Sequence, residues 1–237
     1  MDLKQRIKAF TKLGQYFRGY TSQNESDTDY SALENTIIKA KVKNAWFTPE
    51  NTNIALSAWA DELTDANLND WLSQYNLPDN TPKSIGIIMA GNLPLVGFHD
   101  LLTVLISGNK ALVKMSSDDS ELMLFVLNTL FAIEPQFKDR VEIVEKLTQP
   151  DAVIATGSNN TARYFEAYFN KYPNIIRKNR NSVAVLSGNE SEEDLKLLAD
   201  DLFMYFGLGC RNVTKLYLPK GFDLDKIFKG IFHYSEI

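Results

Sequence analysis

Apolar residues in the first third of the chain recur at helical spacing. Between positions 7 and 17, and again between 33 and 42, they lie three or four residues apart. Before a third series of this kind, Thr48 suits a helix cap and Pro49 suits the first helical position. We therefore predict that residues 1–80 form a helical N-terminal segment.

The pattern changes after a cluster of turn-forming residues at 77–82. Short apolar runs of strand type now alternate with helical stretches. The predicted strands lie at 85–89, 111–115, 141–144, 152–155, 175–177 and 183–186, and the helices at about 95–107, 118–132, 159–171 and 192–205. Apolar strands separated by helices predict a doubly wound, mainly parallel α/β sheet. We assign this α/β domain to residues 81–205 and a further segment, with a strand at 213–218, to 206–237.

Composition narrows the class of protein. The 237 residues are 44% hydrophobic and 23% charged, as in a soluble globular protein with a large core. The net charge of -5, with no long run of lysine and arginine, excludes a nucleic-acid-binding surface. We see no signal peptide, and the longest apolar stretch, 85–98, is too short to span a membrane. One cysteine allows no internal disulfide, so we expect a cytoplasmic protein.

Polar residues follow the predicted strands, where parallel sheets bind ligands. After the first strand, the Asn92 amide could donate to a developing oxyanion, or it could satisfy the backbone of its own turn. Lys114, at the end of the second strand, suits a ribose or a phosphate, with a plain surface lysine as the alternative. The sequence Thr156-Gly157-Ser158 precedes a helix in a way that suits a pyrophosphate, although it is not the dinucleotide fingerprint GxGxxG.

The single cysteine, Cys210, lies in the sequence Gly207-Leu208-Gly209-Cys210-Arg211-Asn212, after a predicted helix. Small neighbours leave a thiol open to substrate, as a nucleophile requires. The alternative is a small buried hydrophobic residue. No metal site is predicted, because His99 and His233 are isolated and Cys210 has no companion thiol.

Five segments in order resemble the aldehyde dehydrogenase superfamily, and within it the LuxC-like acyl-CoA reductases. They are Gly91-Asn92-Leu93-Pro94, Gly108-Asn109 with Lys114, Thr156-Gly157-Ser158, residues 177–186, and Gly207-Leu208-Gly209-Cys210-Arg211-Asn212-Val213. The match covers about 84–219. The resemblance implies that 81–205 is a nucleotide-binding domain and that 206–237 begins a catalytic domain.

The resemblance also implies roles for individual residues. Cys210 would attack the thioester of a long-chain acyl-CoA, and the Asn92 amide and the Cys210 N–H would hold the oxyanion. Lys114 would bind the adenosine ribose. Reduction of the thioacyl-cysteine by a nicotinamide cofactor would give an aldehyde. The residues implied to contact the cofactor are Gly91, Lys114, Ser117, Gly157 and Ser158.

Two positions depart from related dehydrogenases. Arg177 stands roughly where hydrolytic members carry the glutamate that activates water, which agrees with reduction. Arg177, Lys178 or Arg180 would contact coenzyme A phosphates, or else form a basic surface turn. Ser117 stands where NAD-preferring members carry a glutamate, so we expect NADP, with NAD kept open by the carboxylates at 118 and 119.

Two alternatives remain at this stage. One is an acyl-phosphate reductase resembling the glutamyl-phosphate reductases. The other is a nucleotide-binding module without catalysis, because superfamily members continue well beyond the cysteine and we expect this chain to be truncated. The expected partner is the acyl-CoA substrate, with a homo-oligomer or a separate acyl-transfer protein as further candidates.

Overall fold

The computed structural model describes residues 1–22, 28–77 and 81–235. The chain divides into two compact units, Met1–Lys178 and Asn179–Ile237. The predicted turn cluster at 77–82 falls partly outside the described residues. The domain boundaries drawn from the sequence, after 80 and after 205, stay a prediction.

Four helices open the described part of the first unit, and side chains cap all of them except the second. They are α1 (Leu3–Thr21), α2 (Ser31–Lys43), α3 (Pro49–Glu62) and α4 (Asp65–Ser73). Thr48 caps α3 as predicted, because its hydroxyl accepts the Asn51 N–H at 3.2 Å. Asp2 and Gln5 form a reciprocal capping box at the start of α1. The N-terminal segment is therefore helical, as expected.

A five-stranded parallel sheet follows, in the order β3-β2-β1-β4-β5. Its strands are β1 (Ser84–Ile88), β2 (Lys110–Lys114), β3 (Val141–Ile143), β4 (Ala152–Thr156) and β5 (Asn174–Arg177). The chain enters at the central strand, winds outward to β3, and returns to build the other half. The direction of winding reverses between β1 and β4, which is the place where such sheets open a ligand crevice.

Helices cover the sheet on both faces, which confirms the doubly wound α/β prediction. They are α5 (Phe98–Ile106), α6 (Ser120–Ile133) and α7 (Asn159–Phe169). Helices α5 and α6 lie between the sheet and the N-terminal helices. Arg6 of α1 is 5% exposed, and its Nε donates to the Ile106 carbonyl at 2.8 Å. A buried guanidinium is tolerated here because backbone carbonyls accept hydrogen bonds from its N–H groups.

The connection from β3 to β4, residues 144–151, is described throughout and contains no helix. Parallel strands are ordinarily joined by a dozen residues or more, so this crossover has to lie directly on the sheet. Gly86 of β1 makes room for it: a Cβ there would lie 2.8 Å from Leu147 Cδ1 and 3.4 Å from Pro150 Cβ. The sheet beside α7 is therefore covered by a thin loop instead of a second helix.

The second unit has its own small sheet and core. Strands β6 (Ser182–Val185) and β7 (Val213–Tyr217) pair in parallel, and helices α8 (Glu192–Phe203) and α9 (Leu224–Ile231) pack on them. Its buried core consists of Leu186, Leu195, Leu198 and Ile227. The predicted strand at 183–186 thus joins this sheet and not the five-stranded one. Among the described residues, no helix is long and apolar enough to cross a bilayer.

Candidate active site

The loop after β1 carries Gly91 and Asn92 at the reversal point of the sheet. Asn92 is exposed, whereas Leu95 is fully buried with φ at 58°. The Leu95 N–H donates to Asp119 Oδ2 at 2.7 Å. A Cβ at Gly91 would overlap the side chain of Ser116, so only glycine lets these two loops approach so closely.

Asp119 is a buried carboxyl, 2% exposed, at the N-cap position of α6. The Asp119 side chain does not cap α6; it accepts the Leu95 N–H instead. Burial raises the pKa of Asp119 well above its ordinary value, and the hydrogen bond from Leu95 lowers it only in part. Within the part of the chain that the structure describes, Oδ1 has no hydrogen-bond partner.

Lys114 ends β2, and Ser117 follows it in an exposed loop. The Ser117 hydroxyl donates to Asp118 Oδ1 at 3.1 Å. Asp118 is exposed while Asp119 is buried, so a ligand at this loop would meet one of the two carboxylates, that of Asp118.

Gly157 and Ser158 connect β4 to the first turn of α7. The Ser158 hydroxyl accepts the Thr161 N–H at 3.1 Å and so caps the helix. A Cβ at Gly157 would lie 2.9 Å from the Phe165 ring and 3.2 Å from Thr161 Cβ. Glycine here keeps the backbone open at a helix N-terminus, an arrangement that suits a phosphate group.

A cavity of about 410 Å³ lies next to this loop, under the β3–β4 crossover. Lys114 is part of its wall, together with Leu147 of the crossover. The opposite wall is the aromatic face of α7, with Tyr164, Phe165 and Tyr168. The wall also carries Glu145, Lys146 and Lys171. A largely apolar slot with lysines in its wall suits a planar ring joined to a polar or anionic group.

Arg177, at the end of β5, is bound to a buried carboxylate. Its Nη1 lies 2.6 and 2.7 Å from the two oxygens of Asp100, which is 5% exposed. Burial would raise the pKa of Asp100, but the neighbouring His99 and the hydrogen bonds and charge of Arg177 outweigh it and hold the pKa below its ordinary value. Lys178 pairs with Glu166 at 2.7 Å. Both cations therefore already have carboxylate partners.

Cys210 is exposed, in the second unit, so the interpretation of a buried hydrophobic residue is wrong. It is the second residue of a tight turn in which the Asn212 N–H donates to the Gly209 carbonyl at 3.0 Å. The Asn212 side chain closes the same turn, because its Oδ1 accepts the Gly209 N–H at 2.7 Å. The turn holds the thiol between the end of α8 and the start of β7.

The predicted site residues are thus divided between the two units. The first unit brings Gly91, Asn92, Lys114, Ser117, Gly157 and Ser158 to the carboxyl ends of β1, β2 and β4. Cys210 belongs to the second unit. The sequence named Asp119 only as a carboxylate near the cofactor, and it did not single out Asp100 or the side chain of Asn212. Each of these side chains contacts a residue distant in the chain or a backbone group. Contacts of these two kinds leave no periodic pattern in the sequence.

Comparison with protein families gives a direct match. A family model described as LuxC acyl-CoA reductase matches residues 20–225. The chain belongs to the LuxC family. The resemblance predicted from five short segments is confirmed, and the matched region of this LuxC-family chain runs from α1 into α9. A search of curated proteins found no match.

Solved aldehyde dehydrogenases share the fold of this LuxC-family chain. The NAD-dependent benzaldehyde dehydrogenase of Corynebacterium glutamicum is 12% identical, with a TM-score of 0.70 over 100% of this chain and 55% of that one. An acetylating aldehyde dehydrogenase of Geobacillus thermoglucosidasius is 10% identical, with a TM-score of 0.71 over 99% and 54%. A variant betaine aldehyde dehydrogenase of Staphylococcus aureus, solved with NAD+, is 12% identical, with a TM-score of 0.70 over 100% and 50%. The chain spans about half the length of these structures.

Proposed function

We propose that this LuxC-family chain takes part in the reduction of a long-chain acyl-CoA thioester to an aldehyde, through a thioacyl intermediate on Cys210. The observation that carries the proposal is the exposed Cys210 at a tight turn, inside the region matched by the family model. Since the chain has one cysteine, a thioacyl group has one site at which it could form.

In this mechanism the Cys210 thiolate attacks the thioester carbonyl and forms a new carbon–sulfur bond. The carbonyl oxygen becomes an oxyanion, for which we propose the Asn92 amide and the Cys210 N–H as donors. When the oxyanion collapses, the bond to coenzyme A sulfur breaks, and coenzyme A leaves as a thiolate that takes up a proton. A thioester between the acyl group and Cys210 remains.

Several residues of the first unit fit a nicotinamide dinucleotide. The backbone at Gly157, which a side chain would obstruct, and the capped start of α7 would receive the pyrophosphate. Lys114 would bind the ribose, and the aromatic cavity beside it would hold the adenine ring. Gly91 lies at the same sheet edge. When bound, the reduced cofactor supplies a hydride to the acyl carbon; a thiohemiacetal on Cys210 results, and its collapse releases aldehyde and thiol.

The contact between Arg177 and Asp100 supports reduction over hydrolysis. A guanidinium held on a carboxylate has no capacity to take a proton from water, so a thioacyl group would persist until hydride arrives. Arg177 and Lys178 both hold carboxylates, which leaves the exposed Arg180 of the basic cluster for a coenzyme A phosphate.

For the cofactor we propose NADPH, because Ser117 puts no carboxylate of its own beside a 2′-phosphate. Asp118, held by Ser117, is the group that would favour NADH instead. We further propose a cytoplasmic location, where the thiol stays reduced. A second copy of the chain or an acyl-transfer protein is the proposed macromolecular partner.

Acylation tests the proposal most directly. The chain is incubated with a long-chain acyl-CoA, and its intact mass is measured with and without NADPH. We expect an adduct of one acyl group that NADPH removes, with aldehyde appearing in equal amount. The Cys210→Ala variant should form no adduct, and Cys210→Ser is the control that keeps the size of the side chain.

The alternatives give different outcomes in the same assay. Acylation by an acyl phosphate but not by acyl-CoA would indicate the acyl-phosphate reductase. Binding of NADPH without any adduct on the wild-type chain would indicate a nucleotide-binding module and overturn the proposal.

A further inference from the structure

The turn that carries Cys210 is bound to the rest of the second unit by a buried side chain, that of Asn212, and by a backbone bond in which the Ser182 N–H donates to the Asn212 carbonyl at 3.0 Å. Asn212 is 7% exposed. Its Oδ1 accepts the Gly209 N–H at 2.7 Å, and its Nδ2 donates to the carbonyls of Asp201 at 2.9 Å and Met204 at 3.2 Å. A single amide therefore binds the last turn of α8, the segment after it and the cysteine turn itself.

The backbone between α8 and this turn is in a conformation that needs such support. Tyr205 and Phe206 have φ angles of 54° and 58°, and Gly207 follows with 69°. Left-handed backbone is costly for residues with a side chain, and it persists only where neighbouring contacts fix it. The three Asn212 bonds bracket this segment, two before it and one after it. They are therefore placed to hold it.

We propose that Asn212 is a positioning residue for Cys210. By fixing the Gly209–Asn212 turn, it holds the backbone of Cys210, and with it the directions of the Cys210 N–H and of the Cα–Cβ bond that carries the sulfur. That geometry matters because attack and oxyanion stabilisation would come from the same residue, and small displacements of reacting groups are expensive. The inference rests on the proposed role of Cys210 as the nucleophile.

Hydrogen exchange of the backbone amides tests whether Asn212 holds the turn, independently of any reaction. In the Asn212→Ala variant we expect exchange in the segment 204–213 to rise by about tenfold or more, while β6 and α9 keep the wild-type rate. Asn189→Ala, at an exposed asparagine of the same unit, is the matched control and should change nothing. Unchanged exchange in 204–213 would overturn the proposal, and so would faster exchange throughout the unit, because Asn212 would then serve the whole fold.

Reaction rates test whether that hold matters for Cys210. In single-turnover acylation by a long-chain acyl-CoA, we expect Asn212→Ala to lower the maximal rate constant by about 100-fold, with the half-saturating concentration unchanged. Alkylation by iodoacetamide needs no oxyanion, so its rate should change by less than about threefold. Asn212→Asp keeps the acceptor for Gly209 but faces two carbonyls without a donor, and it should also acylate slowly.

The outcomes separate this inference from the proposed function. If Asn212→Ala acylates at the wild-type rate while Cys210→Ala does not acylate, the positioning role fails and the nucleophile stands. A loss confined to the half-saturating concentration, or an equal loss in alkylation, also contradicts the positioning role. If the wild-type chain forms no adduct, the proposed function fails, and hydrogen exchange still decides whether Asn212 holds the turn.

Discussion

Replacing Asp119 by asparagine should change how the stability of the first unit depends on pH. The carboxyl is buried against the Leu95 N–H, and burial raises its pKa well above 3.8, the ordinary value. The amide of an asparagine side chain would keep an oxygen for Leu95 but has no proton to lose. The substitution therefore removes one titrating group that binds the loop carrying Gly91 and Asn92, and it changes the shape of the side chain little.

The magnitude follows from proton counting. In the unfolded chain Asp119 ionises near 3.8, whereas in the folded chain it stays protonated to a higher pH. Between these two pH values the folded state binds one proton more than the unfolded state. The free energy of unfolding therefore falls as the pH rises, by about 1.4 kcal/mol for each pH unit. The contribution is complete below the unfolded pKa and is lost once the pH passes the folded pKa.

The Asp119→Asn variant lacks this fall. Over the same pH range, the unfolding free energy of the variant minus that of the wild type should therefore rise by about 1.4 kcal/mol for each pH unit. A buried, unpaired amide N–H of the new side chain would cost about 1–3 kcal/mol at every pH, which moves the curve without altering the difference in slope. The slope therefore tests the reasoning, and the offset does not.

Urea unfolding at several pH values, followed by tryptophan fluorescence, measures this slope. Trp46, Trp59 and Trp71 are the three tryptophans and all belong to the first unit, so the signal reports that unit. Asp118→Asn removes an exposed carboxylate next in the chain and is the matched control. Parallel curves of unfolding free energy against pH for wild type and Asp119→Asn would refute a raised pKa for Asp119 in the folded chain.

Three further substitutions test other parts of the site. Asp100→Asn removes the carboxylate that binds the Arg177 guanidinium. We expect the unfolding free energy of the first unit to fall by about 2 kcal/mol in the same fluorescence assay. An unchanged value would mean that the ion pair contributes nothing to stability. Gly157→Val crowds the Phe165 ring and the start of α7. Dinucleotide binding, measured by calorimetry, should therefore weaken by about tenfold or more. Unchanged binding would contradict the placement of the cofactor. Asp118→Asn should strengthen NADPH binding relative to NADH by about fivefold, because one like charge is removed, and an equal effect on both cofactors would argue against that placement of the 2′-phosphate.

The extent of the strands could be predicted from the sequence because each is a short apolar run between polar residues. All five strands of the large sheet lie within one residue of the predicted positions. Pairing could not be predicted in the same way. The strand at 182–185 has the same apolar character as the others, yet it pairs with β7 in the second unit. Hydrophobic pattern indicates that a strand forms, and it does not indicate which strand lies beside it.

Helix ends were predicted less well than strands, and at two of them the difference lies in a loop of the site. The helix expected from 95 begins at Phe98, because Leu95 is left-handed and gives its N–H to Asp119. The helix expected to reach 205 ends at Phe203, because left-handed backbone follows at Tyr205 and Asn212 takes the carbonyls near its end.

In both places a buried polar side chain from elsewhere in the chain binds backbone groups next to the helix end. Helix propensity and hydrophobic periodicity describe only the local conformational preference of the chain. They therefore extend each predicted helix by two or three residues into a loop whose conformation is set by tertiary contacts. These two differences fall in the loops that carry Asn92 and Cys210. Helices α5 and α8 both stop short of their sequence pattern next to a buried aspartate or asparagine. The sequence alone does not show that contact, and the structure does.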